Sequence, residues 1–461
     1  MLPVASLLLM PSSRYSKIIL RLGMVRFAAS LLVVLLTNVL NRVLIVEYQT
    51  PATLVTFIFA FQHLATPSGL IAGYFSDRYY RRGGRRGPFI IGGMVLSASI
   101  MPIFPSWGMF FASQPQHPLS FWLGAGLFAL FGVGLTVSAT AVNALLVDEL
   151  PETQRGAGMT LVWLLTLAGF IIGSAFFHYL LPGSQIYRLK AIFWLFTILA
   201  LAIVLGSVKG VEVESATVSP PTERGATVGI VLQGLSRSSQ AVLFFVFLAA
   251  TVFFLAIQTF ILTPFGGEVL LLPVGETAKF GIYTSWGAML GMGSAYWMQK
   301  KWPRWRNKLF LVLSLGLGGT ACILLAISSW WPDRPKVEAA LWLLGLSKGF
   351  FNAGISFLTM SLAHPAFSGV FMGLWNLVSG LALAVGETTG GFCLDQAMRF
   401  TGDLGAAYGL VFLGEGLGML GCLIILKLLN RQRYWRQLAP WLGAASTTKP
   451  VVSDNAGSGY N

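Results

Sequence analysis

The sequence predicts an all-α integral membrane protein whose twelve transmembrane helices form two six-helix pseudo-repeats. Three observations carry that expectation. First, the 461 residues are 55% hydrophobic and only 10% charged, with a mean hydropathy of +0.72, whereas soluble domains carry about 25% charged residues. Second, about 30 Å of hydrocarbon takes roughly 20 apolar residues per helix, and apolar runs of that kind begin near residues 23, 52, 88, 120, 156, 190, 240, 279, 308, 338, 369 and 404. Each stops at a short polar, Gly or Pro turn, and each far exceeds the roughly ten-residue alternating strands of an outer-membrane barrel. Third, the basic residues are distributed unequally between alternate turns.

Lys and Arg accumulate in short cytoplasmic loops, so that inequality orients the runs. With the N-terminus inside, the cytoplasmic segments hold Arg14, Lys17, Arg21 and Arg26, then Arg78, Arg81, Arg82, Arg85 and Arg86, then Arg155, then Lys209, Arg224 and Arg237. They continue with Lys300, Lys301, Arg304, Arg306 and Lys308, and end with Lys427, Arg431, Arg433, Arg436 and Lys449. The other side receives only Arg188, Lys190, Lys279, Arg334, Lys336 and Arg399. Both termini are therefore expected in the cytoplasm. The formal charge of +14 then reflects topology and attraction to anionic lipid, worth about 1 kcal/mol per basic residue near the surface. No nucleic-acid partner is needed to explain it.

Residues 1–22 read as an N-terminal cytoplasmic tail, since "MLPVASLLLM" lacks the basic leader and small-residue cleavage site of a secretory signal. Residues 23–209 are expected to form the first six-helix bundle and 240–429 the second. Between them, 210–239 is polar, carries "VSPPTERG" and reads as a cytoplasmic linker. Residues 430–461 read as a cytoplasmic C-terminal tail. The two strongest basic loops, 78–86 and 300–308, follow the second run of each half, so the halves look like related repeats. Trp302, Trp305 and Trp435 on one side and Trp107, Trp330 and Trp331 on the other read as interfacial belts. Cys322, Cys393 and Cys422 have no paired spacing and read as packing residues. Glycine clusters such as "GFIIG" (169–173) lie inside apolar runs, where small residues permit close helix approach. No Gly-x-x-x-x-Gly-Lys-Ser/Thr loop occurs, so no nucleotide is expected.

An ionisable side chain inside the bilayer costs roughly 2.5 to 3.5 kcal/mol or more unless paired or hydrated, so each one asks for a role. Asn38, Asn41 and Arg42 stand at i, i+3 and i+4, which places them on one helical face. Glu47 is the natural counter-charge for Arg42. Two readings stand: a cavity face that holds a ligand head group, or an internal ion pair that fixes packing. In the second half Gln258, Glu268 and Glu276 repeat an amide followed by carboxylates, either lining the other side of one central site or solvated in a loop. Glu387 and Glu415 sit among small residues, where burial makes proton carriage or a simple interhelical hydrogen bond available to each. Lys348 is a cation able to neutralise either one.

Several stretches resemble a known superfamily. Gly73, Asp77 and Arg78 form a Gly-x-x-x-Asp-Arg start to the loop after the second run, followed beyond "YYRRG" by Gly84, Arg85 and Arg86. Together with "DELPETQRG" (148–156) they resemble the major facilitator superfamily. The segments "LLTNVLNRVLIVEYQTPATLV", "SDRYYRRGGRRGPFI" and "ILTPFGGEVLLLPVGET", and more loosely "GVFMGLWNLVSGLALAVGE", are similar to its bacteriochlorophyll delivery branch, the PucC- and LhaA-like family, over about residues 20–430.

The resemblance implies a major facilitator fold and a non-enzymatic role. It implies a membrane factor handling or delivering chlorophyll-type pigment during assembly of light-harvesting or photosystem complexes, in a thylakoid, intracytoplasmic or plasma membrane. Chlorophyll or bacteriochlorophyll would then be cargo, and membrane lipid and antenna or photosystem subunits the partners. It also implies a cytoplasmic gate built from Asp77, Arg78, Arg85, Arg86, Asp148 and Arg155, whose salt bridges close in one rocking state.

Chlorophyll magnesium takes a fifth ligand, typically a neutral imidazole nitrogen, an amide oxygen or water. His63, beside Gln62, is the better candidate and His178 the lesser; for either, a hydrogen bond to a neighbouring helix is the plainer reading. The substrate-binding set is thus Asn38, Asn41, Arg42, Glu47, Gln62, His63, Gln258 and Glu268. The rival reading is a proton-coupled secondary transporter of a small amphiphile working by alternating access, with Arg42, Glu47, Glu387 and Glu415 as coupling residues.

Overall fold

The computed structural model describes residues 13–78, 86–115, 117–150, 152–180, 187–208, 233, 235–301, 308–362 and 368–446, and they are almost wholly helical. The first crossing is α1 (Ser13–Val34), prolonged by two π-helical stretches, Leu35–Leu40 and Val43–Glu47. Pro51 precedes α2 (Ala52–Leu64), which gives way at Ala65 and Thr66 to α3 (Pro67–Arg78). Pro67 has no N–H to continue the ladder, and the Thr66 hydroxyl instead donates to the His63 carbonyl at 2.6 Å. Pro102 interrupts the third crossing in the same manner, between α4 (Gly87–Ile100) and α5 (Phe104–Ser113). The first half closes with α6 (Pro118–Glu149), α7 (Glu152–Leu180) and α8 (Tyr187–Val208).

The second half begins at α9 (Ser239–Ile257), whose N-cap Ser238 accepts from the Ala241 N–H at 3.2 Å. A short α10 (Leu262–Glu268) follows, then α11 (Val274–Lys301), α12 (Lys308–Trp330), α13 (Arg334–Leu362), α14 (Ser368–Thr401), α15 (Leu404–Leu428) and α16 (Arg431–Ser446). Successive crossings alternate in direction. The turns at 47–52, 257–274, 330–334 and 401–404 therefore share one face, called distal here, while residues 13 and 428 lie at the opposite face.

Among the described residues, eleven helices are long and apolar enough to cross a membrane. The crossing expected from residue 279 corresponds to α11, which at 28 residues is long enough but is the one crossing less apolar than its fellows. Its packing explains this. It lies between α7 and α13, and against α13 the backbones nearly touch. A Cβ at Gly345 would stand 2.3 Å from the Thr284 carbonyl oxygen and 2.8 Å from Gly287 Cα, and one at Gly349 would stand 2.8 Å from Gly291 Cα. Small residues replace large aliphatic ones where helices approach this closely, and hydropathy falls with them.

The "GFIIG" glycines behave alike, since a Cβ at Gly169 would meet Ser30 Oγ at 2.0 Å and one at Gly173 would meet Val34 at 2.6 Å. The two halves pack on one another along α2 with α14 and α7 with α11. These two seams enclose the site.

One local reading of the sequence changes. Trp107 is buried, donates from Nε1 to the Ser120 carbonyl at 2.9 Å and stacks on Phe111, so it is a packing residue and not part of an interfacial belt. Trp330 and Trp331 are exposed. The C-terminal segment contains α16, started by Asn430, whose Oδ1 accepts from the Gln432 and Arg433 N–H groups. That helix is docked by the buried Tyr434, which donates to the Leu362 carbonyl at 3.0 Å. Residues 1–12, most of the 210–239 linker, Trp302 and Trp305 lie outside the described residues.

Candidate functional site

A cavity of about 410 Å³ lies between the two halves, within the roughly 300 to 1,000 Å³ typical of ligand pockets. Asn38, Gln62 and His63 line it from the first half, and Gln258, Thr284, Lys348, Asn352 and Glu387 from the second. Leu135, Phe170, Leu262 and Phe280 supply apolar wall. Most of the polar residues sit near the middle of their crossings, so the cavity is at mid-depth.

The two halves are joined across the cavity by His63 and Glu387. The His63 Nε2 stands 3.1 Å from each Glu387 carboxylate oxygen, and Glu387 is only 3% exposed. The placement is local in origin: His63 belongs to the last turn of α2, just before the break at Thr66. Asn38 donates to Ser174 Oγ at 3.2 Å. Gln258 is fully buried and donates to the Leu255 carbonyl at 3.0 Å, while its Oε1 finds no partner among the described residues.

Asn38, Asn41 and Arg42 do not act as one face. The spacing rule assumes α geometry, whereas α1 continues here in π-helical turns with a wider i→i+5 repeat. Asn38 consequently borders the cavity, while Asn41 and Arg42 are buried in the distal seam. Asn41 donates to the Phe260 carbonyl at 2.6 Å. Arg42 donates to Glu47 at 2.7 Å and to the Leu272 carbonyl at 2.8 Å, so one guanidinium satisfies its own helix and ties it to the second half.

Glu268 also belongs to the distal end, where its carboxylate accepts from the Tyr408 hydroxyl at 2.6 Å. Glu276 pairs there with Lys279 at 2.8 Å and Arg334 at 2.6 Å. His178 Nδ1 contacts the Gly275 carbonyl at 3.0 Å. Glu415 is buried within the second half beside Cys322 and does not line the cavity. Of the expected gate, Arg86 is buried and donates to Ser76 Oγ at 3.3 Å. Arg85 and the side chains of Asp77, Arg78, Asp148 and Arg155 lie outside the described residues.

Sequence reasoning missed Asp395. Its two carboxylate oxygens accept from the Ala52 N–H at 3.2 Å and the Thr53 N–H at 2.8 Å, so a side chain of α14 caps the N-terminus of α2 across the seam. Negative charge suits a helix start, where the first N–H groups have no partner within the helix. The only sequence signal is an aspartate near the end of an otherwise apolar run, "GFCLDQAM". Asn352 was also missed, although it follows Lys348 at i+4 and therefore shares its face.

Solved transporters share this architecture. A bacterial homolog of the human lysosomal transporter Spinster, inward-facing and unoccupied, superposes with a TM-score of 0.65 at 12% identity, covering 94% of this chain and 99% of its own. The xylose transporter XylE from E. coli, in a partially occluded inward-open conformation, gives 0.65 at 12% identity, covering 91% and 98%. At that identity the likeness shows the fold, which is that of the major facilitator superfamily.

Among relatives, the "Bacteriochlorophyll synthase 44.5 kDa chain" of Rhodobacter capsulatus is 29% identical over 422 residues, spanning 87% of this chain and 92% of that protein. "Protein PucC" of Cereibacter sphaeroides is 26% identical over 433 residues, spanning 91% and 94%. The family model described as PUCC protein matches residues 39–434, and the chain belongs to that family.

Proposed function

We propose that this protein holds a chlorophyll-type pigment, or a precursor of one, at mid-membrane depth between its two halves. It passes that cargo to a light-harvesting or photosystem subunit during assembly and changes no covalent bond itself. The observation that carries the reading is the cavity lined by both halves of a chain of the PUCC family. The name of the Rhodobacter capsulatus relative points to the pigment class. The membrane would be a photosynthetic one, with both termini in the cytoplasm on the strength of the basic loops.

The apolar wall suits a macrocycle, and the amides of Gln62, Gln258 and Asn352 suit its polar edge. His63 is the candidate magnesium ligand, but its Nε2 faces Glu387 in this conformation. Ligation by that nitrogen therefore requires the carboxylate to turn aside. Cargo entry and the inter-half bridge would then compete for one imidazole.

Purification in mild detergent from a pigment-producing host tests the reading. A pigment absorption band in near-stoichiometric amount, with antenna or photosystem subunits co-purifying, is expected, and His63→Leu should lower the pigment content. Colourless protein from pigment-rich cells contradicts the reading. The same His63–Glu387 pair, titratable and spanning the halves of a facilitator fold, favours proton-coupled transport of a small amphiphile as the second reading. Colourless protein that drives proton-linked uptake in liposomes would put that reading first.

A further inference from the structure

The charges on the cavity wall are unevenly satisfied. His63 and Glu387 face one another at 3.1 Å, and Asn38 is bonded to Ser174. Lys348, near the middle of α13, borders the same space but makes no direct hydrogen bond or salt bridge to a described residue. The carboxylates of Glu415 and Glu387 act on it only through space. A cation at this depth is costly unless paired or hydrated, so its ammonium awaits an acceptor. A second polar group is also incomplete: Gln258, fully buried on the cavity wall, keeps an Oε1 with no donor. Asn352, one turn along α13 from Lys348, adds an amide to the same wall.

We infer that Lys348 forms a carboxylate subsite in this cavity, so that the cargo is an acidic amphiphile: a tetrapyrrole bearing a free propionate and not its neutral ester. The tetrapyrrole half of this statement rests on the pigment reading above; the acid half rests on Lys348. Charge selects a monoanion. Lys348 is the one lysine on the described cavity wall, so it pairs with a single carboxylate, whereas a phosphate dianion would bring a second negative charge near Glu387 in a region of low dielectric. Gln258 Oε1 would be completed by a donor on the cargo or by water carried in with it. The cargo would then be taken up ahead of the reaction class that esterifies that propionate.

The full-length protein in detergent can be titrated with chlorophyllide a and with its methyl ester, following the pigment absorption shift. A hydrogen bond to a charged group predicts about 10- to 100-fold tighter binding of the acid. Lys348→Met should bring the acid down to the affinity of the ester, and Lys348→Arg should keep part of the preference. Because Lys348→Met leaves Glu415 without its nearby cation, the double variant Lys348→Met/Glu415→Gln keeps the test valid if the single variant folds poorly. It should be stable and still show no preference. Equal affinities in the unmodified protein, or an acid preference that survives Lys348→Met or returns in the double variant, overturn the subsite. Equal binding leaves the pigment reading standing; binding of neither form overturns both.

Discussion

The two halves of this bundle meet in contrasting ways at two depths. In the distal seam, side chains from each half are locked to backbone of the other: Asp395 on the α2 N-terminus, Arg42 on the Leu272 carbonyl, Asn41 on the Phe260 carbonyl and His178 on the Gly275 carbonyl. At mid-depth the described residues part to leave a cavity, and His63–Glu387 is the side-chain contact that crosses it. Interhelical hydrogen bonds in bilayers average about 0.6 kcal/mol each. The distal set together is therefore worth a few kcal/mol, the size of a gap between two conformations. A single bridge at the cavity is worth much less. The seam is thus built to stay closed until several contacts yield together, and the cavity to exchange one contact for another.

Arg42→Ala should break this contrast most severely, because it strips the partner from Glu47 and from the Leu272 carbonyl at a site where Arg42 is 3% exposed. Removing one member of a fully buried pair costs about 3 to 5 kcal/mol. Glu47 is about a quarter exposed, so the cost sits at the low end of that range, and the unfolding temperature in detergent should fall by several degrees or expression should fail. Unchanged thermal stability would show that the pair does not hold the seam.

Gly345→Val comes next, since the added atoms have no room against the Thr284 carbonyl and Gly287. Overpacking costs about 1 to 3 kcal/mol, and a thermal melt should show it; a neutral result would mean that α11 and α13 separate freely.

Asp395→Ala should have the mildest global effect and the most selective local one. Loss of a helix cap costs about 1 kcal/mol, which corresponds to roughly a fivefold shift in a two-state population. A reporter cysteine in place of Thr263, buried in the seam, should react about fivefold faster with maleimide in the Asp395→Ala background. An unchanged rate would remove the cap from the closing mechanism.

The crossings were legible because hydrocarbon solvent leaves a coarse signature; their interruptions at Pro67 and Pro102 emerged only with the fold, although each proline removes a donor. Arg42 with Glu47 was legible for a different reason: the partners are five residues apart on one segment. Asp395 was not, because its partners lie more than three hundred residues earlier in the chain. The separation of Asn38 from Asn41 and Arg42 was hidden too, since π turns follow from packing and leave no mark in a spacing rule derived for α-helices. The low hydropathy of α11 becomes intelligible only once its glycines are seen against those of α13. Lys348 could be read as a neutraliser from its position, but its place on the cavity wall needed the fold.

Filling the cavity tests the central claim most directly. Thr284 lines it from α11, and Thr284→Trp should occupy the space where cargo is held. If pigment lies between the halves, protein purified from a pigment-producing host should keep its unfolding temperature and monodispersity while losing most of its bound pigment. Full pigment content in a folded Thr284→Trp protein would place the cargo elsewhere and contradict the account.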